Sequence, residues 1–257
     1  MAKKTGIDGQ LTFYDFCTDT RNYVAQANAI ILGKQNLKLN SAKLIRSAIM
    51  QIKPDDEELK PYRVSINDLS KMFGVSASNL YAYAEDIAKD ISEHPIEVRL
   101  FDEKGKPIGF DVKPWVQDIS YHKSLGMQIE LNQGLKPLLI NLKEHYTQYV
   151  LDTILSMNST NAIRLYELIL SALPTKDIPL AGAKVKLSVQ QIRECLGCED
   201  KYTMFGHFHD RVIKPSVDEI NGLLTVNITY DLIRYGRAVE DIVFNINTLH
   251  TEKRGTK

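Results

Sequence analysis

The tightest constraint on this chain is a segment that it states twice at a fixed distance. Ser65-Ile66-Asn67-Asp68-Leu69-Ser70-Lys71-Met72-Phe73-Gly74-Val75 is echoed 123 residues later by Ser188-Val189-Gln190-Gln191-Ile192-Arg193-Glu194-Cys195-Leu196-Gly197-Cys198. A serine opens each copy, aliphatic residues recur at matching places, and a glycine followed by a small apolar residue closes it. Serine accepts hydrogen bonds from the free N–H groups of a first helical turn, and glycine adopts the left-handed conformation that ends a helix. Each copy therefore predicts a short capped helix closed by a glycine turn, the opening of a helix-turn-helix. Two such openings predict two grips on DNA.

The flanking segments extend the repeat. Apolar residues at helical spacing precede both copies, over 42–52 and 162–172. After the first copy, residues 76–91 predict a helix with Leu80, Ala84, Ile87 and Ile91 on one face. After the second, residues 204–220 predict one with Phe208, Val212, Ile213, Val217 and Ile220 facing inward. Alternating, β-branched segments follow, at 96–101 and 109–116 in the first half and at 224–230 and 239–247 in the second. Helix, helix-turn-helix and hairpin in that order predict an α+β fold, with two pseudo-symmetric winged-helix domains in tandem.

A chain of 257 residues has room for two domains. The expected boundaries are a loose N-terminal arm over 1–20, a first domain over 21–143, a second over 144–250 and a tail over 251–257. Phe13, Tyr14 and Phe16 of the arm could dock on the folded part. Residues 52–63 are acidic and bracketed by prolines, which predicts an exposed loop. Residues 102–107 predict a polar hairpin connection, and 127–131 a third strand closing the first domain. Residues 134–142 predict a helix running into 146–157, so the joint between the domains is expected to be helical. No apolar run reaches the ~20 residues of a membrane span, no apolar stretch follows the N-terminus, and only three cysteines are present. A cytoplasmic protein without a membrane partner is expected.

Lys plus Arg and Asp plus Glu both number 32, so the chain is formally neutral. Attraction to phosphates depends on local clusters, because salt screens charges beyond about 8–10 Å. One cluster is Lys201, His207, Arg211 and Lys214. On a helical wheel, His207, Asp210, Arg211, Lys214 and Asp218 share the face opposite Phe208, Val212 and Ile220. Arg and Lys on such a face can pair with guanine or hold phosphates. Lys201, Tyr202 and Thr203 precede the helix where backbone N–H groups suit a phosphate. Taken alone, this segment reads more readily as an amphipathic helix with a solvated face; its place between a helix-turn-helix and a wing reverses that and favours base reading. Arg234 and Arg237 flank a glycine turn, which suits a wing tip on the backbone or minor groove, or simply charges that blunt a hairpin edge. In the first half, Ser78 and Asn79 are the candidate DNA contacts. Glu85 and Asp86 would face phosphates poorly, so a supporting grip that also serves as a pairing surface is expected there.

Two enzymatic readings compete. His207-Phe208-His209 matches the His-hydrophobic-His signature of rolling-circle nickases, whose histidines hold a metal beside a tyrosine. That signature needs both imidazoles on one side of a strand; in a helix, residues two apart point about 200° apart. Cys195-Leu196-Gly197-Cys198 is a lone CxxC, and the repeat matches its cysteines to Met72 and Val75, which predicts core positions. No glycine-rich phosphate loop is present. No catalytic residue, metal site or cofactor is expected.

The residues also carry a resemblance. Leu142-Lys143-Glu144-His145-Tyr146-Thr147-Gln148-Tyr149, Ser159, and Ala162-Ile163-Arg164-Leu165-Tyr166-Glu167-Leu168 resemble the middle of the plasmid replication initiators that bind iterons. Phe208, Arg211-Val212-Ile213-Lys214-Pro215, Glu219-Ile220-Asn221 and the Gly236-Arg237 before Ile242-Val243-Phe244 are similar to that family too. So are Val24-Ala25-Gln26-Ala27-Asn28 and the 44–52 helix, so the likeness spans residues 22–247. It implies a monomer that binds repeated origin sites, with the second domain making the main base contacts. It also implies dimers formed through the first domain, which repress their own synthesis, and the opening of the origin with recruitment of host initiation proteins and helicase. Carried over by position, His207, Arg211 and Lys214 would read DNA, Lys201 and Thr203 would precede them, and Arg234 and Arg237 would form the wing. Where the family often places several basic residues, this chain has His207, His209 and Asp210. The readings that remain beside an initiator are a winged-helix repressor without an initiation role and a metal-dependent nickase.

Overall fold

The computed structural model describes residues 23–53, 55–102, 107–174, 182–224 and 226–248. The expected arm and tail lie outside them, as does most of the 102–107 connection. Two compact units partition the chain, one ending at Ser156 and the other beginning at Met157. The first runs β1 (Tyr23–Ala27), α1 (Asn28–Leu32), α2 (Leu39–Met50), β2 (Pro61–Val64), α3 (Ile66–Phe73), a 3-10 turn (Ala77–Asn79) and α4 (Leu80–Glu93). It continues with β3 (Ile96–Phe101), β4 (Pro107–Lys113), β5 (Val116–His122), β6 (Gly126–Leu131), a second 3-10 turn (Gln133–Leu138), β7 (Tyr146–Val150) and α5 (Leu151–Ser156). The second unit runs α6 (Thr160–Ser171), β8 (Ala183–Ser188), α7 (Val189–Cys195), α8 (Phe205–Phe208), a π-helical turn (His209–Ile213), α9 (Lys214–Leu223), β9 (Val226–Tyr235) and β10 (Ala238–Thr248).

The repeated segments fold alike down to single hydrogen bonds. Ser65 Oγ accepts from the Asp68 N–H at 3.1 Å, and Ser188 Oγ accepts from the Gln191 N–H at 3.0 Å. At the other end Gly74 and Gly197 take left-handed φ values of 66° and 62°. The Val75 N–H then reaches back to the Ser70 carbonyl at 3.1 Å, and the Cys198 N–H to the Arg193 carbonyl at 2.9 Å. Both backward bonds satisfy carbonyls that the helix end leaves open.

Both units have the winged-helix order. In the second, α6, β8, α7 and the 205–223 helix lead into a hairpin, and the sheet order is β8-β10-β9. In the first, α2, β2, α3 and α4 precede a sheet of order β2-β6-β5. Its wing is therefore β5–β6, not the expected pair over 96–101 and 109–116. Pro114 separates β4 from β5 because it has no N–H for a ladder, and β3–β4 forms a two-stranded sheet of its own. The strand expected at 127–131 is β6, central to the sheet, with Met127, Ile129 and Leu131 buried.

Two other expectations are corrected. Residues 134–142 hold only a 3-10 turn containing Pro137, and Asn141 follows at φ 55°. Residues 146–150 are a strand, antiparallel to β1 with Tyr23 opposite Val150, and bury alternate residues. The joint is thus not one helix, and β7 and α5, expected beyond residue 143, lie in the first unit. The 52–63 loop is partly tucked in: Leu59 and Asp56 are buried, with the Asp56 carboxylate accepting from the Lys53 N–H at 2.9 Å.

Each unit has its own core. Leu44, Ile45, Leu69, Leu80, Trp115 and Ile129 fill the first; Ile163, Leu168, Ile192, Phe208, Ile220 and Phe244 fill the second. Fully burying one such side chain contributes about 1.5–3 kcal/mol. Arg164 and Glu167 are buried among them and pair at 2.9 Å, while Arg164 also donates to the Cys195 carbonyl at 3.1 Å. One guanidinium thus ties α6 to α7.

A second arginine shapes the loop after α7. Arg193 donates from Nη1 to the Lys201 carbonyl at 2.8 Å and from Nη2 to the Tyr202 carbonyl at 2.7 Å. Its guanidinium lies 4.2 Å from the centroid of the Phe208 ring. These bonds hold Tyr202 at its left-handed φ of 54°. Arg193→Ala should therefore destabilise the second unit by about 1–2 kcal/mol, with Arg193→Lys no substitute because one ammonium cannot span both carbonyls. The one tryptophan, Trp115, sits in the first unit, so its fluorescence in urea should not change while the second unit's far-ultraviolet transition moves to lower urea. Gly126 gives the converse case. It has φ 96°, and a Cβ would lie 2.1 Å from the Val64 carbonyl oxygen. Gly126→Ala should cost the first unit at least about 2 kcal/mol, seen as an early Trp115 transition.

Candidate nucleic-acid interface

Residues 205–223 form one helical run with an unusual middle. Pro215 has no N–H to donate, and its ring would crowd the carbonyl of Arg211, four residues earlier. The wider π-helical turn over His209–Ile213 accommodates that conflict, and the helix continues as α9. Phe208, Val212, Ile213, Val217 and Ile220 are buried, while His207, Asp210, Arg211, Lys214 and Asp218 are exposed. One helix face is thus given to the core and the other presents the expected polar set.

The polar set differs in how its charges are engaged. Lys214 pairs with Asp218 at 2.8 Å, and this carboxylate raises the ammonium's pKa. His207 and Arg211 have no ion-pair partner among the described residues. His209 is committed elsewhere: Nδ1 meets the Asp210 carboxylate at 2.7 Å and Nε2 the Tyr230 hydroxyl at 2.8 Å. A carboxylate only accepts, so Nδ1 carries a proton, and in the neutral ring Nε2 accepts from the tyrosine. Burial raises the pKa of Tyr230, which favours its role as a neutral donor. Lys201 and Thr203 are exposed on the loop that Arg193 holds.

The wing belongs to the same unit. Asn221 bonds both backbone groups of Ile228, at 2.8 and 2.7 Å, which fixes α9 against β9. Along β9 the chain reaches Arg234, opposite Val239, and turns at Gly236, φ 63°, with Arg237 in the turn. Both arginines are exposed and unpaired among the described residues.

In the first unit Ser78 and Asn79 are exposed on the 3-10 turn before α4, not inside the helix, and Ser78 Oγ shares a hydrogen bond with Ser76 Oγ at 2.8 Å. Sequence reading missed this unit's wing tip. Lys123 Nζ lies 5.7 Å from the Tyr81 ring centroid, and Tyr81 meets Tyr121 edge-on at 6.1 Å. The Lys123-Ser124-Leu125-Gly126 turn was the available signal, masked by assigning the wing upstream. Glu85 and Asp86 are exposed on α4, with Glu85 paired to Lys89 at 2.7 Å.

The enzymatic motifs take ordinary places. His207 and His209 lie on a helix, with His209 tied to Asp210 and Tyr230. Cys195 and Cys198 are both buried thiols, and burial raises the pKa of Cys198. Among the described residues no helix is long and apolar enough to cross a membrane.

Comparison with known proteins agrees with the two winged-helix units. Residues 23–170 match the family model described as Initiator Replication protein, WH1, and residues 188–246 match that of Initiator Rep protein, WH2. A replication initiation protein from Escherichia coli is 23% identical over 231 residues, covering 87% of this chain and 69% of the relative. Among solved structures, the crystal structure of Pi initiator protein in complex with iteron DNA superposes with a TM-score of 0.72 at 16% identity, covering 90% of this chain and 98% of that one. With both family models matched in order, and with the winged-helix plan present in each unit, this chain belongs to the initiator replication protein family.

Proposed function

We propose that this protein initiates replication by binding repeated origin DNA sites with both units, the second unit making the base contacts. The observation that carries the reading is the unpaired Arg211 beside His207 on a helix whose opposite face is locked in the core. Lys201, Thr203 and Lys214 flank it, Arg234 and Arg237 reach phosphates from the wing, and Ser78 and Asn79 make a lighter contact from the first unit. The Pi initiator, whose fold this chain shares, was crystallised on iteron DNA, which supports the same ligand class here. The mechanism is binding and strand opening without a covalent step, followed by recruitment of host initiation proteins and helicase. Neither the repressor-only reading nor the nickase reading is favoured by the family match.

A homodimer formed through the first unit is part of this reading. Ile108, Phe110 and Val112 are exposed on one face of β4, and its outer edge is unpaired among the described residues. A two-fold pairing of two such edges centred on Phe110 would set Ile108 against Val112 of the second copy, joining two apolar stripes. Dimers of this kind would occupy an operator and limit synthesis of the protein.

Arg211→Ala should weaken binding to direct repeats taken from beside the gene by about tenfold to a hundredfold. Fluorescence anisotropy would read this, and an affinity within a factor of two of the parent would remove Arg211 from the interface. Arg234→Ala should instead weaken all sequences alike and lower the salt slope by about one. Phe110→Lys should convert dimer to monomer in sedimentation while binding to direct repeats persists; a dimer that survives would move the interface elsewhere.

A further inference from the structure

We propose that the Asp210 carboxylate is a base-reading group that accepts a hydrogen bond from the exocyclic amine of cytosine, and that His209 and Tyr230 position it. This rests on the DNA-binding reading above and adds a specificity rule to it.

A carboxylate facing DNA is costly, because phosphates surround the groove and repel it. The recognition face carries two. Asp218 is neutralised by Lys214 at 2.8 Å. The Asp210 side chain is 71% exposed, and its bond is to the imidazole of its sequence neighbour. That imidazole is firmly held, 22% exposed, with its far nitrogen on the Tyr230 hydroxyl at 2.8 Å. Its ring lies between Phe205, 6.0 Å away, and Tyr230, 5.7 Å away. Tyr230 in turn packs on Phe244 at 6.0 Å, in the core of the wing sheet. A chain of contacts thus runs from the sheet through tyrosine and histidine to one oxygen of Asp210. The other oxygen, Oδ2, has no partner among the described residues.

An ionised carboxylate has acceptors only. In the major groove, guanine N7 and O6 and thymine O4 are acceptors and would repel it. Adenine offers an amine beside the acceptor N7, whereas the amine of cytosine has no acceptor beside it on that edge. The free Oδ2, held in place through Oδ1, therefore favours cytosine and penalises the other bases, as well as bare phosphate. Arg211, the next residue in the same π-helical turn, offers donors suited to guanine, so the pair reads G·C-containing steps with opposite chemistry. This also accounts for a carboxylate in a helix that otherwise gains from positive charge: it trades affinity for discrimination.

Selection from a random duplex library with the full chain tests this. The parent should return a motif with one position fixed as cytosine, preferred about tenfold or more. Asp210→Ala should loosen that position alone while binding to non-specific DNA tightens. Asp210→Asn, which puts an amide N–H₂ where Oδ2 was, should turn the preference toward bases presenting acceptors. His209→Phe should blur the same position while leaving the rest of the motif unchanged. A merely structural role for Asp210 would lower all binding and move no single base preference. A parent motif reproduced unchanged by both Asp210 variants overturns this inference alone; a parent that selects no motif overturns the DNA-binding reading and this inference with it.

Discussion

The arrangement of both units depends on a left-handed glycine just past a serine-capped helix, one residue beyond α3 and two beyond α7. Gly74 and Gly197 stop α3 and α7 by turning the backbone where a side chain would be strained. The N–H of the next residue reaches back five positions to Ser70 or Arg193 and fixes how the chain leaves the helix. Everything that faces outward afterwards inherits that direction. The two units diverge at the residue that accepts this bond. In the second unit it is Arg193, whose carbonyl closes the helix while its guanidinium holds the carbonyls of Lys201 and Tyr202. In the first it is Ser70, which has no such reach, and the chain enters a 3-10 turn at Ala77–Asn79. One substitution within the repeat thus gives one unit an organised approach loop and leaves the other with a tighter, plainer one.

What could be read from the sequence follows from how local each cause is. Caps, glycine stops and apolar helix faces act within a turn or two, and α3, α7, α4 and the 205–223 helix emerge with the expected faces. Strand partnership does not act locally. Tyr146–Val150 alternates over five residues, but Leu151–Ser156 follows at once with helical spacing and hides it. Its partner, Tyr23–Ala27, lies at the other end of the unit. Pro114 marked the end of β4, yet choosing between β3–β4 and β5–β6 as the wing requires knowing which hairpin pairs with β2. The π-helical turn was hinted at only by Pro215, and the Arg193 clamp by nothing closer than the loop it holds eight residues on. At the interface the exposed residues were legible, because exposure follows from the helix face. Which of them are engaged by a neighbour was not.

That engagement resolves the conflict between a neutral chain and a polyanionic ligand. Several cations elsewhere are matched by carboxylates: Lys89 by Glu85, Lys136 by Glu58 at 2.5 Å, Lys186 by Asp241 at 2.8 Å. Such exposed pairs add little stability, but they cancel field locally. Arg211, Arg234 and Arg237 have no carboxylate partner among the described residues, and they lie on one helix and one hairpin of one unit. With screening over about 8 Å at physiological salt, a phosphate there meets these groups and not the chain's total charge.

The β3–β4 hairpin, a two-stranded sheet of its own in the first unit, makes the two units unequal. It leaves the chain after α4 and returns before β5, so the β2-β6-β5 sheet closes without it. Its outer strand keeps Ile108, Phe110 and Val112 exposed, while the unit's own wing tip carries Lys123 beside Tyr81. In the proposed arrangement the first unit touches DNA and faces another copy, which calls for two surfaces that do not share strands. The wing is proposed for the DNA and the β3–β4 hairpin for the other copy, whereas the second unit has no described hairpin beyond its wing. The division of labour proposed for the two units is consistent with the extra hairpin in one of them, and a helix proposed only to support would tolerate the acidic Glu85 and Asp86 of α4.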